Sequence, residues 1–199
     1  MKKILITSSY FFPYLSGLTT YPYRLAKHWL KEGYQVNVLT FKYKEGLKST
    51  ETVEGIKIER LDIHLQLSKG LINFFYPYFA FRSVLRTDIV LVNLPGPENL
   101  WPSLFAKLLG KKLIALYHCD LDLKANFFLR VASFITNTSS YISCLFSNKI
   151  VNSSKNYAKT SPVLSHFLPK IDFQAPLINY QQPDKLYSNQ LKKLYEKRC

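Results

Sequence analysis

Cysteine is scarce in this sequence, and the three cysteines are poorly placed for a disulfide framework or a zinc site. Cys119, Cys144 and Cys199 are odd in number, lie far apart and form no CxxC pair. Secreted domains held by disulfides and structural zinc sites both depend on paired, regularly spaced cysteines. The spacing therefore argues against both classes and favours a protein of the reducing cytoplasm.

Long apolar runs are missing as well. No stretch reaches the roughly 18 consecutive apolar residues of a membrane-spanning helix. The N-terminal run after Lys2 and Lys3 is interrupted at Thr7, too early for the apolar region of a signal peptide, and is better interpreted as a first strand. We therefore expect a cytoplasmic protein, with peripheral attachment to the inner face of the cytoplasmic membrane as the one membrane role left open.

Several motifs of catalysis and cofactor binding do not occur. The chain has no GxSxG, no Walker lysine motif and no HExxH, and no GxGxxG follows the first predicted strand. The His-x-Asp-x-Asp pattern at 118–122 has no second histidine nearby, which makes it weak as a metal site. We expect neither a bound metal nor a resident cofactor.

Acidic residues are few, and the chain is strongly basic. Lys and Arg number 27 against 13 Asp and Glu, a formal net charge of +14. Such an excess favours an anionic partner: nucleic acid, an anionic membrane surface or a phosphorylated substrate. A solvated lysine-rich surface that follows from codon bias is the alternative. No pattern of a known nucleic-acid-binding fold supports a nucleic-acid partner, and we expect none.

Short apolar runs alternate with helical periodicity over most of the 199 residues. The runs, typical of strands buried on both faces, predict strands at Lys3–Ser9, Gln35–Phe41, Ile56–Leu61, Asp88–Asn93, Lys112–His118, Lys149–Ser153 and Lys170–Phe173. Helices are predicted from Leu18 to Gly33, with Pro22 near the first turn, and at Glu98–Leu109, Ala125–Phe146 and Tyr157–Phe167. This alternation predicts an α/β fold with a doubly wound, mainly parallel, Rossmann-like sheet. We assign residues 1–175 to that domain and 176–199 to a polar linker and a charged tail.

Ligands of a doubly wound sheet bind beyond the carboxyl ends of its strands. Here those ends lead into loops 9–19, 93–99, 118–124 and 153–157. The segment YHCDLD places His118 at a strand tip, followed by Asp120. A histidine in this place can orient a hydroxyl or donate to a phosphate, with a carboxylate raising its basicity. A histidine satisfied by the backbone at a strand end is the structural alternative.

The densest aromatic stretch is KGLINFFYPYFAFRSVLR (69–86), bordered by basic residues. An aromatic helix with a basic rim can lie in a membrane interface or hold a lipid-linked acceptor. A helix that covers the core and is kinked at Pro77 is equally compatible with the pattern. For the first interpretation the candidate contact residues are Lys69, Phe74, Phe75, Tyr78, Arg82 and Arg86.

Taken together, these segments resemble the N-terminal half of GT-B glycosyltransferases of the retaining family 4 group. The similarity covers about residues 3–180. Four blocks carry it: KILITSSYFFPYLSGLTTYPYRLAKHWLKEGYQVNVLT (3–40), DIVLVNLPGPENLWPSLFAKLLGKKLIALYHCD (88–120), KIVNSSKNYAKTSPVL (149–164) and KIDFQAPLIN (170–179).

The resemblance implies roles for particular residues. His118 matches the family's histidine near the transferred sugar and acceptor, and is the one predicted catalytic residue. Gly17 takes the place of the loop glycine whose backbone lies near the donor phosphates, although Ser16 stands where a second glycine is common. Asn93 stands where a histidine is common. The predicted substrate-binding residues are Ser16, Gly17, Thr19, Asn93, Glu98 and Asp120.

The same resemblance implies a two-domain enzyme whose second half holds the nucleotide-sugar, and no such half is present in these 199 residues. We therefore expect the acceptor-binding half of a retaining glycosyltransferase, inactive alone, that acts on a cell-envelope glycan or lipid-linked acceptor. A truncated frame, an excised domain and a split enzyme with a separate donor-binding chain are all compatible with this expectation. The alternative function is a non-catalytic α/β module that binds an anionic lipid or glycan.

Overall fold

The computed structural model of the chain describes residues 1–67, 70–123 and 125–174. The strands are β1 (Lys3–Thr7), β2 (Gln35–Phe41), β3 (Thr50–Val53), β4 (Ile56–Leu61), β5 (Leu65–Leu67), β6 (Gly70–Ile72), β7 (Ile89–Leu94), β8 (Lys112–Tyr117), β9 (Lys149–Asn152) and β10 (Ile171–Phe173). The helices are α1 (Gly17–Lys31), α2 (Tyr76–Leu85), α3 (Leu100–Leu108), α4 (Phe127–Phe146) and α5 (Lys155–Thr160), with 3₁₀ turns at Pro97–Asn99 and Leu164–Lys170.

Eight of the described strands form one sheet, in the order β10-β9-β8-β7-β1-β2-β4-β3. All its neighbouring pairs are parallel except β3 and β4, which are antiparallel. The chain moves outward from β1 to β2 on one side, and from β7 through β8 and β9 to β10 on the other. The strand order therefore reverses between β1 and β7, and this is where a doubly wound sheet binds its ligands. The predicted α/β fold class is confirmed.

The described helices are divided unequally between the two faces of the sheet. Residues of α1 pack in one core cluster with the apolar residues of β1, β2 and β4 that point to that face. Residues of α2, α3, α4 and α5 belong to the second cluster, on the opposite face. Right-handed crossovers produce this division, because the chain progresses in opposite directions on the two sides of β1.

Burial explains why the apolar runs become strands. Ile4, Leu5 and Ile6 are each at most 1% exposed, and consecutive residues belong to different clusters. Side chains of a strand alternate between its faces, so a strand covered on both faces requires an uninterrupted apolar run.

Three departures from the predicted elements concern β3, α2 and α5. Thr50–Val53 is an edge strand that the sequence did not predict. Its residues are alternately exposed and half-buried, and its sequence, TETV, is correspondingly polar. Residues 69–86 are not one helix, because β6 precedes α2 and Pro77 lies in the first turn of α2 instead of at a kink. The predicted helix Tyr157–Phe167 is divided into α5 and the 3₁₀ turn at Leu164–Lys170.

Two predictions concern positions outside the described residues: Lys69 as a contact residue, and the linker and tail at 176–199. Among the residues that the structure describes, no helix combines the length and the apolar character needed to cross a membrane.

Candidate functional site

The candidate site lies at the carboxyl edge of the sheet, beside the point where the strand order reverses. Asn93 is near the end of β7, His118 follows β8, and Gly17 begins α1 after the loop that leaves β1. The backbone N–H of His118 donates to the carbonyl of Leu94 at 3.1 Å, which extends the pairing of β8 with β7 by one residue. The fold thus fixes the backbone of His118 against its neighbouring strand.

The imidazole of His118 is held by the side chain of Asn93. Nε2 of His118 lies 2.8 Å from Oδ1 of Asn93. The Nδ2 group of Asn93 donates to the hydroxyl oxygen of Ser8 and to the carbonyl of Leu18, both at 2.9 Å. A backbone carbonyl can only accept, so the amide nitrogen must face Leu18 and the amide oxygen must face the histidine.

This orientation determines the tautomer of the histidine. Because Oδ1 of Asn93 accepts, Nε2 of His118 carries the proton and Nδ1 carries the lone pair. Burial lowers the pKa of His118 to about 4, since desolvation disfavours the imidazolium. At neutral pH the side chain is therefore a neutral ring that can accept a hydrogen bond at Nδ1.

Pro22 makes the carbonyl of Leu18 available for this contact. Sequence reasoning placed Pro22 near the first turn, but α1 begins at Gly17, so Pro22 is in the helix interior. In a regular helix the N–H of residue 22 would donate to the carbonyl of residue 18. Proline has no N–H, and the side chain of Asn93 donates to the carbonyl of Leu18 instead.

The loop before α1 is closed by its own polar groups. The backbone N–H of Ser16 donates to the hydroxyl of Thr19 at 3.0 Å, and that hydroxyl donates to the carbonyl of Tyr14 at 2.6 Å. Thr19 is buried at 2% exposure, and it does not line the cleft described below. These contacts make Ser16 and Thr19 the residues that shape the loop around Gly17.

Nothing in the described part of the chain requires glycine at position 17. Gly17 is exposed, its φ lies outside the left-handed region, and a Cβ there would meet no atom of the described residues within 4 Å. Its place at the start of α1 also matters, because the first N–H groups of a helix lack the usual acceptor one turn back. The N–H of Thr19 donates to the carbonyl of Ser16 at 3.1 Å, so the groups that a ligand can use are those of Gly17 and Leu18. The absence of a side chain leaves these N–H groups open to close approach by a ligand.

A cleft of about 510 Å³ opens between α1 and the ends of β8 and β9. Its lining comprises Gly17, Leu18, Thr20, Tyr21, Arg24, Leu116, Tyr117, His118, Cys119, Val151, Asn152, Ser153 and Gln174. The structure thus brings Gly17 and His118 to one cavity, as the sequence predicted.

Tyr21 and Arg24 are among the cleft residues that the sequence did not predict. Tyr21 and Arg24 share a face of α1 with Gly17, at intervals of four and three residues. The hydroxyl of Tyr21 is buried, and no described residue forms a hydrogen bond with it. Only the spacing of Gly17, Tyr21 and Arg24 could have indicated that they line the cleft together.

Glu98 is buried in a separate network and does not line the cleft. Ser9 donates to its Oε1 at 2.5 Å, and burial raises the pKa of Glu98 to about 7. Its neighbour Asn99 accepts from the hydroxyl of Thr7 at 2.6 Å and donates to the backbone carbonyl of Asn93 at 2.9 Å. The described contacts of Glu98 therefore join the loop after β1 to the turn after β7, beneath the site.

Asp120 is a hydrogen-bonding centre of the loop after β8. The hydroxyls of Tyr117, Tyr157 and Ser161 all donate to its carboxylate. Burial and this carboxylate raise the pKa of Tyr117 well above its usual value. Within the described residues, Asp120 anchors the loop of His118 to α5, and it is not among the residues that line the cleft.

The predicted contact residues around α2 are at the surface. Phe74, Phe75 and Tyr78 are 68%, 64% and 61% exposed. Arg82 donates to Glu59 at 2.6 Å, and Arg86 follows the helix as an exposed residue. These side chains are accessible, but the aromatic rings contribute little to the core.

Comparison with known proteins identifies the class of the chain. Residues 15–156 match the family model of Glycosyltransferase Family 4. No individual curated protein sequence matches significantly. The matched region includes Gly17, Asn93 and His118.

Two solved structures share the fold. The catalytic domain of starch synthase IV from Arabidopsis thaliana, bound to ADP and acarbose, superposes with a TM-score of 0.59 at 13% identity, over 88% of this chain and 51% of its own. MurG from Acinetobacter baumannii superposes with a TM-score of 0.53 at 17% identity, over 91% of this chain and 47% of its own. The chain thus spans about half the length of each of these GT-B proteins. With the family match over residues 15–156, these likenesses show that the chain belongs to Glycosyltransferase Family 4 and has the fold of one GT-B half.

Proposed function

We propose that the chain is the acceptor-binding half of a retaining glycosyltransferase. In this proposal it helps to transfer a sugar from a nucleotide-sugar to a cell-envelope glycan or lipid-linked acceptor, and His118 contacts the reacting groups. The observation that carries the proposal is the cleft that contains both Gly17 and a neutral His118 in a fixed tautomer.

His118 suits a polyhydroxylated substrate. A sugar hydroxyl that donates to Nδ1 is oriented without any change in the charge of the ring. The ring is held through Nε2 by Asn93, so the accepting nitrogen keeps one orientation. Asn93 is therefore a positioning residue in this proposal.

Gly17 suits the phosphate groups of the donor. Anionic groups are stabilised at the start of a helix, where free N–H groups and the helix dipole act together. Arg24, which also lines the cleft, adds a cation on the same side. We propose that the loop glycine approaches the diphosphate while a second Rossmann-like half binds most of the nucleotide-sugar.

The need for a second half follows from the chemistry of the transfer. A leaving diphosphate requires strong electrostatic stabilisation in the transition state. The described cleft offers Arg24 and the first turn of α1 for this purpose. We therefore expect the 199-residue chain alone not to turn over a nucleotide-sugar, whatever polypeptide supplies the second half.

A transfer assay tests the proposal. The purified chain is incubated with a panel of labelled nucleotide-sugars and a membrane extract as acceptor, with and without a co-expressed donor-binding half. Transfer is expected only when both halves are present, and it should be lost in His118→Ala but kept in His28→Ala, a control on the exposed side of α1. Turnover by the chain alone would contradict the dependence on a second half. Full activity of His118→Ala would remove this residue from the site.

Failure of every donor-binding half to give transfer would favour the other candidate function, a non-catalytic module that binds an anionic lipid or glycan. The net charge of +14 is compatible with that role. Binding of a nucleotide-sugar or glycan to the two-half complex, measured by calorimetry, separates a module that binds without transfer from a polypeptide that binds neither ligand.

A further inference from the structure

The polarity of α4 is inverted relative to an ordinary surface helix. Its buried positions are Ser133, Thr136, Ser139, Ser140, Ser143 and Cys144. Its exposed positions include Phe127, Phe128 and Phe134, which are 73%, 82% and 72% exposed, with Val131 and Ile135 beside them. A helix on the surface of a soluble domain normally turns its apolar stripe inward. The exposed stripe of α4 therefore points to a partner.

Small polar residues explain why α4 packs this way. Ser139 donates to the carbonyl of Pro97 at 3.1 Å, and Ser143 donates to the carbonyl of Asn99 at 3.4 Å. These hydroxyls satisfy carbonyls of the 3₁₀ turn beneath the candidate site. The larger apolar side chains are left on the outer surface.

Exposed aromatic residues also lie on α2 and α3, which pack beside α4 on the same face of the sheet. Phe81 of α2 contacts Phe105 of α3 at a ring separation of 5.4 Å, and Trp101 is 6.1 Å from the same ring. Trp101 is 40% exposed. We call the outer side of α2, α3 and α4 the aromatic face.

The charged residues of the three helices are all basic. None of the three helices contains an aspartate or glutamate, and each contains one cation: Arg82, Lys107 and Arg130. Arg82 is paired with Glu59 at 2.6 Å. Arg86 and Lys111 follow α2 and α3 and extend the basic border.

The most aromatic end of the face lies at the carboxyl edge of the sheet. In a parallel α/β sheet each crossover helix starts at that edge and runs back. Phe74, Phe75 and Trp101 lie at the starts of α2 and α3, and Phe127 and Phe128 lie at the start of α4. His118 is at the same edge, and its loop is tied to α4 by Asn137, which hydrogen-bonds to both backbone groups of Leu121 at 3.0 and 2.8 Å.

We propose that the aromatic face docks on an anionic lipid bilayer, with its aromatic end and the His118 loop next to the lipid headgroups. Aromatic rings favour the boundary between headgroups and acyl chains. Arg130, exposed near the start of α4, attracts anionic headgroups at the aromatic end, and the cations at the other ends of α2 and α3 attract them along the rest of the face. A second copy of the chain is a poorer occupant. A two-fold interface would place the same cationic, acid-free helices against each other in a chain of net charge +14.

Co-sedimentation of the full chain with sucrose-loaded vesicles tests the docking. The chain is expected to bind vesicles of phosphatidylcholine mixed with phosphatidylglycerol, and to bind pure phosphatidylcholine weakly. Replacing Phe127, Phe128 and Phe134 by Ser should weaken binding at least about tenfold, because each exposed ring loses its apolar burial in the bilayer. The double variant Leu168→Ser/Phe173→Ser, at exposed apolar positions outside the face, should bind as the parent does.

The two tryptophans, Trp29 and Trp101, report the orientation. Trp101 is on the aromatic face, whereas Trp29 packs against the core cluster of α1 on the opposite face. Brominated lipids should quench the emission of Trp29→Phe, which retains Trp101, and leave Trp101→Phe, which retains Trp29, unchanged. Equal quenching of both variants would overturn the proposed orientation.

Other results of these experiments would overturn the proposed docking on a bilayer. Absence of vesicle binding would overturn the proposal, as would a stable dimer that the triple variant dissociates. Circular dichroism checks the fold of that variant. If it does not fold, the charge reversals Lys107→Glu and Arg130→Glu replace it, and unchanged vesicle binding in both then counts against the proposal. Lipid binding is measured without sugar transfer, so either proposal can fail while the other stands.

Discussion

The side-chain amide of Asn93 donates to the carbonyl of Leu18 at 2.9 Å, where a backbone N–H would normally donate. This contact connects the first turn of α1 to the end of β7. Because Pro22 supplies no N–H to that carbonyl, the amide of Asn93 is held with its oxygen toward His118. The Ser8 hydroxyl, whose own proton goes to the carbonyl of Tyr10, accepts from the same amide. Leu18 and Ser8 together therefore fix which nitrogen of His118 carries the proton.

Replacing Pro22 by Ala tests this connection. The new N–H at position 22 would donate to the carbonyl of Leu18 and compete with Asn93. We expect the amide of Asn93 to lose its single orientation, so that a second tautomer of His118 becomes populated. Long-range proton–nitrogen NMR spectra of the labelled ring distinguish the two tautomers directly.

Two further variants serve as comparisons for that measurement. Asn93→Leu removes the acceptor and should also give mixed tautomers. Pro77→Ala is the matched control, since Pro77 lies in the first turn of α2, where a proline leaves no carbonyl without its usual donor. A single Nε2–H tautomer that persists in Pro22→Ala would show that Ser8 alone orients Asn93.

A second prediction concerns stability and pH. Burial raises the pKa of Glu98 from 4.5 to about 7, so the folded state holds its proton more tightly than the unfolded state. The resulting stabilisation is complete below the unfolded pKa and is lost as the pH rises through about 7. His118 acts in the opposite direction: its pKa is lowered from 6.5 to about 4, so stability is lost as the pH falls through this range.

Urea unfolding between pH 5 and pH 8, followed by circular dichroism, separates the two groups. Glu98→Gln should remove a loss of stability of at most about 3 kcal/mol toward high pH. His118→Gln should remove the loss toward low pH instead. If the free energy of unfolding changed with pH in the same way for the parent and for Glu98→Gln, Glu98 would titrate alike in the folded and unfolded states.

The fold was predictable from sequence where burial is complete. The apolar runs of β1, β2, β7 and β8 predicted strands because both faces of these strands are covered. The edge strand β3 has the polar sequence TETV and alternately exposed residues, so no apolar run marks it. The helical period of α4 was predictable, but the buried side was not, since here serines are inside and phenylalanines outside.

The site was predictable in part. Gly17 and His118 follow strands whose carboxyl ends meet at one edge, and both line the cleft. Glu98 follows β7 at the same edge, but the 3₁₀ turn buries it away from the cleft. The bond from Asn93 to Leu18 joins residues 75 positions apart, and no local pattern indicates it.

A third prediction concerns Asp120. Three hydroxyls donate to its carboxylate, and an amide in its place would turn a donor toward at least one of them. Asp120→Asn should therefore lower the free energy of unfolding by about 1–3 kcal/mol. Asp62→Asn, which removes only a surface ion pair with Lys42, should cost less than about 1 kcal/mol. Equal, small losses in both variants would show that Asp120 does not anchor its loop.

The last prediction separates a ligand-binding glycine from a structural one. A Cβ at Gly17 would meet no atom within 4 Å, whereas a Cβ at Gly96 would lie 2.5 Å from Oε1 of Glu98 and 2.8 Å from Nδ2 of Asn99. Gly96→Ala should therefore destabilise the fold by about 1–3 kcal/mol. Gly17→Ala should leave the free energy of unfolding unchanged or slightly raised, because alanine favours the helix.

In the two-half transfer assay, Gly17→Ala should nevertheless lower kcat/KM on the order of tenfold or more, since the added methyl group holds the ligand away from the first turn of α1. Unchanged kcat/KM would make Gly17 only a bend between β1 and α1.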